Sequence, residues 1–183
     1  MTDTLIAAWL DGDIVALDKL EVHRRGLRHP AVSVFVMDGR RTLIQRRALT
    51  KYHTPGLWAN SCCTHPHWGE DPQVCATRRL DEELGIAGLT LTPAGEVEYR
   101  ADVGGGLIEH EVVQIFTARA PAALPVLPNP DEVAETRWVD LYDLAAETRR
   151  HPGRFTPWLR IYLANHMERI FAPHLADMHL SVR

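Results

Sequence analysis

EDPQVCATRRLDEELG, residues 70–85, is the segment on which the fold turns. Asp71 stands where an N-cap belongs, Pro72 fits the first helical position, and Gly85 lies just past the end, so the spacing predicts a helix marked at both ends. Val74, Arg78 and Asp81 fall on one side of it, while Cys75, Arg79 and Glu83 recur at intervals of four on another. An isolated run of this kind reads equally well as a solvated charged face. The wider spacing argues for more: Glu70, seven residues, then Arg78-Arg79, and then Glu82, Glu83 and Gly85.

Upstream lies NSCCTHPHWGE, residues 60–70. Cys62, Cys63 and Cys75 cannot all pair within one chain, and a vicinal bridge strains its own peptide. The stretch could be buried thiols, half of a metal site, or a nucleophile with its base. Further upstream, AVSVFVMD (31–38) ends at Asp38-Gly39 and is followed by TLIQRRA (42–48), which predicts a hairpin. After Pro55-Gly56, LWANSCCT reads as a short strand.

Downstream, LTLTP, EVEYRAD (89–102) and LIEHEVVQIFTAR (107–119) read as strands, the last two joined by a glycine-rich turn. Four prolines make 121–131 irregular. ETRWVDLYDLAAETRR (135–150) passes from strand to helix, and FTPWLRIYLANHMERIF (155–171) reads as one long amphipathic helix. Strands and helices alternate without a regular βαβ rhythm. The expectation is an α+β fold, a mixed sheet between helices, rather than a doubly wound parallel one.

The 183 residues suffice for one domain with a sizeable core. The expected organisation is a single domain over 1–183, its core at about 19–170, with a flexible tail at 172–183 whose two histidines are incidental. Apolar content of 45% and charged content of 24% are ordinary for a globular protein. A net charge of −4 leaves no electrostatic footprint for nucleic acid. No apolar run approaches the roughly 18–20 residues that span a bilayer. MTDTLIAAWLDGD lacks the basic start of a signal peptide, so a reducing cytoplasm is the expected setting.

Three further groups could carry chemistry. In EHE (109–111), alternation puts Glu109 and Glu111 on one face of a strand, where they repel unless a cation lies between them or one is protonated. A charged strand edge is the ordinary alternative. His23, His29 and His65 are nitrogen donors suited to zinc or manganese, although each alone is commonly structural. Lys19, Arg46, Arg47, Lys51 and Arg79 form a basic set inside an acidic chain. It reads either as solubility or as an anion pocket.

The spacing of Glu70, Arg78, Arg79, Glu82, Glu83 and Gly85 resembles the Nudix box, which places carboxylates to hold a divalent metal on a diphosphate. Thr64 stands at the box's opening glycine and Arg79 at its first glutamate after the arginine, a change that suits gripping phosphate better than a full hydrolytic metal cluster. Lys19-x3-His23, RRAL-x-K at 46–51, PG-x-W-x-NS-x-C-x-HP at 55–66, and later YRA, E-x-EV and PW extend the likeness from about Lys19 to Trp158. Together they resemble the type 1 isopentenyl-diphosphate Δ-isomerases of the Nudix superfamily, which move one double bond between isopentenyl and dimethylallyl diphosphate.

By position, the resemblance implies Cys63 and Glu111 as the acid–base pair, with Tyr99 assisting. It implies His23, His29, His65, Glu109 and Glu111 around one Zn²⁺ or Mn²⁺. It also implies Glu83 placing Mg²⁺ against the diphosphate, Lys19, Arg47, Lys51 and Arg79 on its oxygens, and Trp158 lining the hydrocarbon pocket. Cys62 is expected to point away into the core. A small diphosphate is the expected partner, with neither nucleic acid nor membrane, and a monomer is favoured. A Nudix hydrolase of a nucleoside or other diphosphate is the alternative, and Glu82 keeps it open by restoring a carboxylate that hydrolases have.

Overall fold

The computed structural model describes residues 5–176. It opens with a separate hairpin, β1 (Leu5–Leu10) and β2 (Asp13–Asp18). The hairpin turn, Asp11-Gly12, has φ of 53° and 96°, the mirror-image turn whose twist matches the strands it joins. The Asp11-Gly12 dipeptide is the sequence signal for such a turn. A short helix, α1 (Lys19–Arg25), follows directly, capped by the Asp18 side chain on the Glu21 amide.

The main sheet is built from β3 (Arg28–Asp38), β4 (Arg41–Arg47), β5 (Trp58–Ala59), β6 (Cys62–Thr64), β7 (Thr92–Gly104), β8 (Leu107–Arg119) and β9 (Val133–Asp140). Its order is β5-β4-β3-β8-β7, with β6 on β3 and β9 on β4. β3 and β8 run parallel and the other pairs antiparallel, so the sheet is mixed as expected. The predicted 31–48 hairpin is β3–β4. LWANSCCT forms two short strands rather than one, because Asn60 and Ser61 between them turn their side chains onto the backbone of β3, β4 and Cys62. β7 begins at Thr92, not at Leu89.

The helix expected at 71–85 is α2 (Pro72–Leu84). Asp71 accepts from the amides of Gln73 and Val74, and Gly85 closes the helix at φ 63°. A side chain there would meet Leu127 at 2.8 Å as well as the left-handed backbone, so only glycine fits. α3 (Leu141–Arg150), a 3-10 turn at Pro152–Arg154, α4 (Pro157–Asn165) and α5 (Met167–Ala176) complete the chain. The helix expected to start at Pro157 does so, but the single run expected to continue to 171 is broken at His166, whose φ/ψ of −132°/7° leaves the helical region. The break lets Trp158, Leu159 and Tyr162 from α4 and Ile170 and Phe171 from α5 enter the same core. α5 continues through 172–176, part of the span expected as tail; 177–183 lie outside the described residues.

Strand parity sorts the core into two halves. Val32, Val34 and Val36 of β3, Phe116 of β8 and Cys62 of β6 pack with Cys75, Ala76, Leu80 and Leu84 of α2. On the opposite face, Phe35, Tyr99, Val113 and Ile115 pack with α3, α4 and α5. The result is a sheet between helical layers, and the odd-numbered positions of β3, β7 and β8 face α4. No helix among the described residues is long and apolar enough to cross a membrane.

Candidate active site

The sheet register assembles the site. In the parallel β3–β8 pairing His29 lies opposite Glu111. In β7–β8, Tyr99 lies opposite Glu111 and Ala101 opposite Glu109. β6 sets Cys63 opposite Ser33, and His65 follows it directly. α1 delivers Lys19 and His23, four apart on one face. The 48–57 loop brings in Lys51, Tyr52 and His53, and it is closed by main-chain bonds from Arg47 to Leu57 and from Gly56 back to Arg47. Cys63, His65, Glu83, Glu109, Glu111 and Trp158 line one narrow cleft with the cations Lys19, Arg47, Lys51 and Arg79.

His23, His29, His65 and Glu111 are all buried, and their ligating atoms converge within 4.8 Å of one another. Nδ1 of His23 lies 2.7 Å from the Lys19 carbonyl and Nδ1 of His29 lies 2.7 Å from that of Leu27. A carbonyl only accepts, so each Nδ1 carries a proton and each ring turns its Nε2 inward. The Nε2 atoms of His29 and His65 sit 3.1 Å apart, and that of His65 lies 2.8 Å from Glu111 Oε1. The Nε2 of His23 has no partner among the described residues. Burial, aided by the neighbouring His29, lowers His23 to about 4, and burial also holds His65 well below its usual range. Three imidazoles that turn Nε2 inward beside a buried carboxylate are a donor set that fits a divalent ion.

Glu109 and Glu111 share Tyr99, whose hydroxyl is 2.8 Å from Glu109 Oε2 and 2.7 Å from Glu111 Oε2. One hydroxyl proton cannot serve two ionised carboxylates, so among the protein groups alone one carboxyl keeps its own proton. Glu109 is that group: burial, then the charge of Glu111, pushes it well above the carboxylate range. Burial opposes ionisation of Glu111 too, but the His29 and His65 rings beside it outweigh that and hold it well below. Cys63 is a thiol here, since burial and then the charge of Glu111 push it well up. Ser33 donates to its Sγ at 3.2 Å and lies 3.0 Å from the Tyr162 hydroxyl.

The cation group stands beside these. Arg79 reaches Glu83 at 2.6 Å and Glu82 at 2.8 Å, and the second oxygen of Glu83 accepts from Gln45 at 2.8 Å. Lys51 pairs with Glu132, which is also 3.5 Å from Arg79. Burial lowers Lys51 to about 8, and burial followed by the charges of Arg79 and Arg47 lowers Lys19. Trp158 is fixed by its Nε1–H bond to Asn60, 3.1 Å, with the Arg47 guanidinium 5.5 Å from its ring.

The structure brings the residues expected at the site into one region, with Glu83 among the cations as expected; Glu109 lies outside the set formed by His23, His29, His65 and Glu111 and stands with His23 and His53 instead. Arg46, counted in the basic set, turns outward: its neighbours are the Gly56 carbonyl and, at 3.8 Å, Glu135. A bulge between Arg46 and Arg47 separates their directions. Cys62 packs against α2, one peptide from Cys63 and on the other side of the sheet. Glu82 is occupied on the outer side by Arg78 and Arg79. Sequence reasoning missed Ser33, Tyr52, His53, Asn60 and Tyr162. Ser33 and Tyr162 carried a signal in their strand and helix periodicity, while the loop residues had none.

Residues 27–159 match the NUDIX domain family. The chain is 69% identical over 91% of its length to an isopentenyl-diphosphate Δ-isomerase of Cereibacter sphaeroides (strain ATCC 17025 / ATH 2.4.3), covering 94% of that protein. It is 68% identical over 91% of its length to one from Dinoroseobacter shibae, covering 95% of it. Among solved structures, a MutT NUDIX hydrolase from Burkholderia pseudomallei superposes with a TM-score of 0.59 at 25% identity, over 76% of this chain and 98% of that one. With the fold, the site and these likenesses in agreement, the chain belongs to the Nudix family and, within it, to the isopentenyl-diphosphate Δ-isomerases.

Proposed function

We propose that this chain interconverts isopentenyl and dimethylallyl diphosphate by protonation and deprotonation through a tertiary cation. The observation that carries the reading is the meeting of a half-buried thiol, Cys63, and a tyrosine-linked carboxylate pair, Glu109 and Glu111, in one cleft beside four cations. An unactivated alkene needs a positioned acid on one face and a base on the other. Cys63 and Glu111 supply the two, and because the reaction is reversible each is acid in one direction and base in the other. Tyr99 passes the proton between carboxyls. Trp158, held by Asn60, lends its ring to the cation, an effect worth up to about 2 kcal/mol in a desolvated site.

Lys19, Arg47, Lys51 and Arg79 would take the diphosphate oxygens, which displace the Glu132 carboxylate from Lys51 and Arg79. His23, His29, His65, Glu109 and Glu111 would hold Mn²⁺ or Zn²⁺, and Glu83 would turn an oxygen to Mg²⁺ on the diphosphate. When bound, the first ion supplies a fixed positive charge that orients Glu111 and adjusts its acidity. The pairing of Glu82 with Arg78 and Arg79 supports isomerisation over hydrolysis. The three cysteines are free, and a reducing cytoplasm keeps the Cys63 thiol available. The test is incubation of the purified protein with isopentenyl diphosphate, Mg²⁺ and Mn²⁺. Acid-labile dimethylallyl product is expected; phosphate release from a nucleoside diphosphate without that product would replace this reading by the hydrolase.

A further inference from the structure

The proposed metal centre uses five donors, but its second carboxylate is not aimed at the three histidines. Tyr99 takes Oε2 of both glutamates, which leaves Oε1 of each turned away from it. Glu111 Oε1 faces His65 at 2.8 Å and His29 at 3.7 Å. Glu109 Oε1 instead faces Nε2 of His53, at 3.5 Å. His53, Glu109 and His23 form a second set of ligand atoms within 4.8 Å of one another, and His23 belongs to both sets. With its Nδ1 committed to the Lys19 carbonyl, His23 has one inward nitrogen and cannot serve two ions at once. Metal–donor bonds of about 2.1 Å put trans donors of one ion about 4.2 Å apart and cis donors about 3 Å apart; the contacts of 2.8, 3.5 and 3.7 Å lie near the cis value, while each set as a whole stays within 4.8 Å. We infer that His53 is a fourth imidazole ligand, closing a single six-donor shell with His23, His29, His65, Glu109 and Glu111.

The loop is built to aim that ring. His53 Nδ1 lies 3.1 Å from the Thr54 hydroxyl, which leaves Nε2 to face Glu109. Thr54 holds φ at 46°, a left-handed conformation uncommon outside glycine and tolerated where the surroundings demand it. Arg47 donates to the His53 carbonyl at 3.1 Å, tying the loop to the diphosphate cations. The ring is buried, 6% exposed, and lies 5.8 Å from that of His23. Simple packing against Trp158, 6.1 Å away, would not require Nε2 to face a carboxylate. Six protein donors leave no position for water, so the ion's part would be to hold the two glutamates still.

This inference rests on the metal centre proposed above, and its test separates the two. X-ray absorption of the full-length protein loaded with Zn²⁺ alone should show four imidazoles in the wild type and three in His53→Ala. Ion retention against a competing chelator should fall about 10- to 100-fold in the variant. Three imidazoles in both proteins would overturn the inference and leave the five-donor centre standing, whether or not retention falls. A wild type that binds no ion through histidine would overturn both. The wild-type count needs no variant, so a misfolded His53→Ala leaves the test intact.

Discussion

Cys62 and Cys63 are neighbours in the chain and belong to different molecules in effect, because the sheet passes between them. Cys62 faces α2 among Val32, Val34 and Leu80, in a mainly apolar layer. Cys63 faces α4 beside Ser33, with Glu109 and Glu111 in the same cleft. Both thiols are raised by burial. Burial alone therefore does not distinguish the thiol proposed to act; the neighbours do. One face of the sheet is closed to stabilise, and the other keeps buried polar groups that an efficient core would exclude.

The largest effect that would sharpen this contrast is expected at Glu111. Glu111→Gln should lower kcat by about 10³–10⁴-fold, the upper range for a positioned acid–base group. It should also weaken ion retention, measured by metal analysis after dialysis. Retained turnover would move the chemistry to another residue. Next come the two cysteines. Cys63→Ala should cost about 10²–10⁴-fold in kcat with little change in melting temperature. Cys62→Ala should keep kcat and lose about 1 kcal/mol in a urea titration, as for a small deletion in a packed core. Equal losses of activity would erase the distinction between the faces.

A smaller effect concerns the cations. Lys51 titrates near 8, below its usual value, because burial disfavours its charge. It is charged below that pH and neutral above it, so kcat/KM should fall as pH rises through about 8, a limb set by the free enzyme. Lys51→Arg, which stays charged, should remove that limb; a limb that persists belongs to another group. Smallest is the outward network on α2, where Arg78 pairs with Glu70 at 2.7 Å and Glu82 at 3.1 Å. Partly exposed, these pairs are worth about 1 kcal/mol or less. Arg78→Ala should lower the urea midpoint slightly, less so in high salt, and leave turnover intact.

How much of this was legible depended on range. α2 could be read in full because Asp71, Pro72 and Gly85 act within a turn or two of their own positions. The alternation in EHE correctly put both glutamates on one face. The motif likeness named the site residues, but nothing local shows that His29 and Glu111, 82 positions apart, lie side by side; that follows from the parallel pairing of β3 with β8. The break at His166 was hidden because the apolar pattern continues across it, while the chain changes direction to seat Phe171 against Phe35. Arg46 and Arg47 look equivalent in sequence, and a bulge sends only the second into the cleft. His53 sits on a loop, where no periodicity reports direction.

The central claim is that two solvent-exchanging groups act on one alkene, and the most direct measurement is turnover of isopentenyl diphosphate in D₂O followed by NMR. The account predicts dimethylallyl diphosphate bearing deuterium from the protonating group, and on continued turnover deuterium at both carbons that gain and lose protons. Product formed without deuterium, or a diphosphate that is cleaved instead of isomerised, would contradict it.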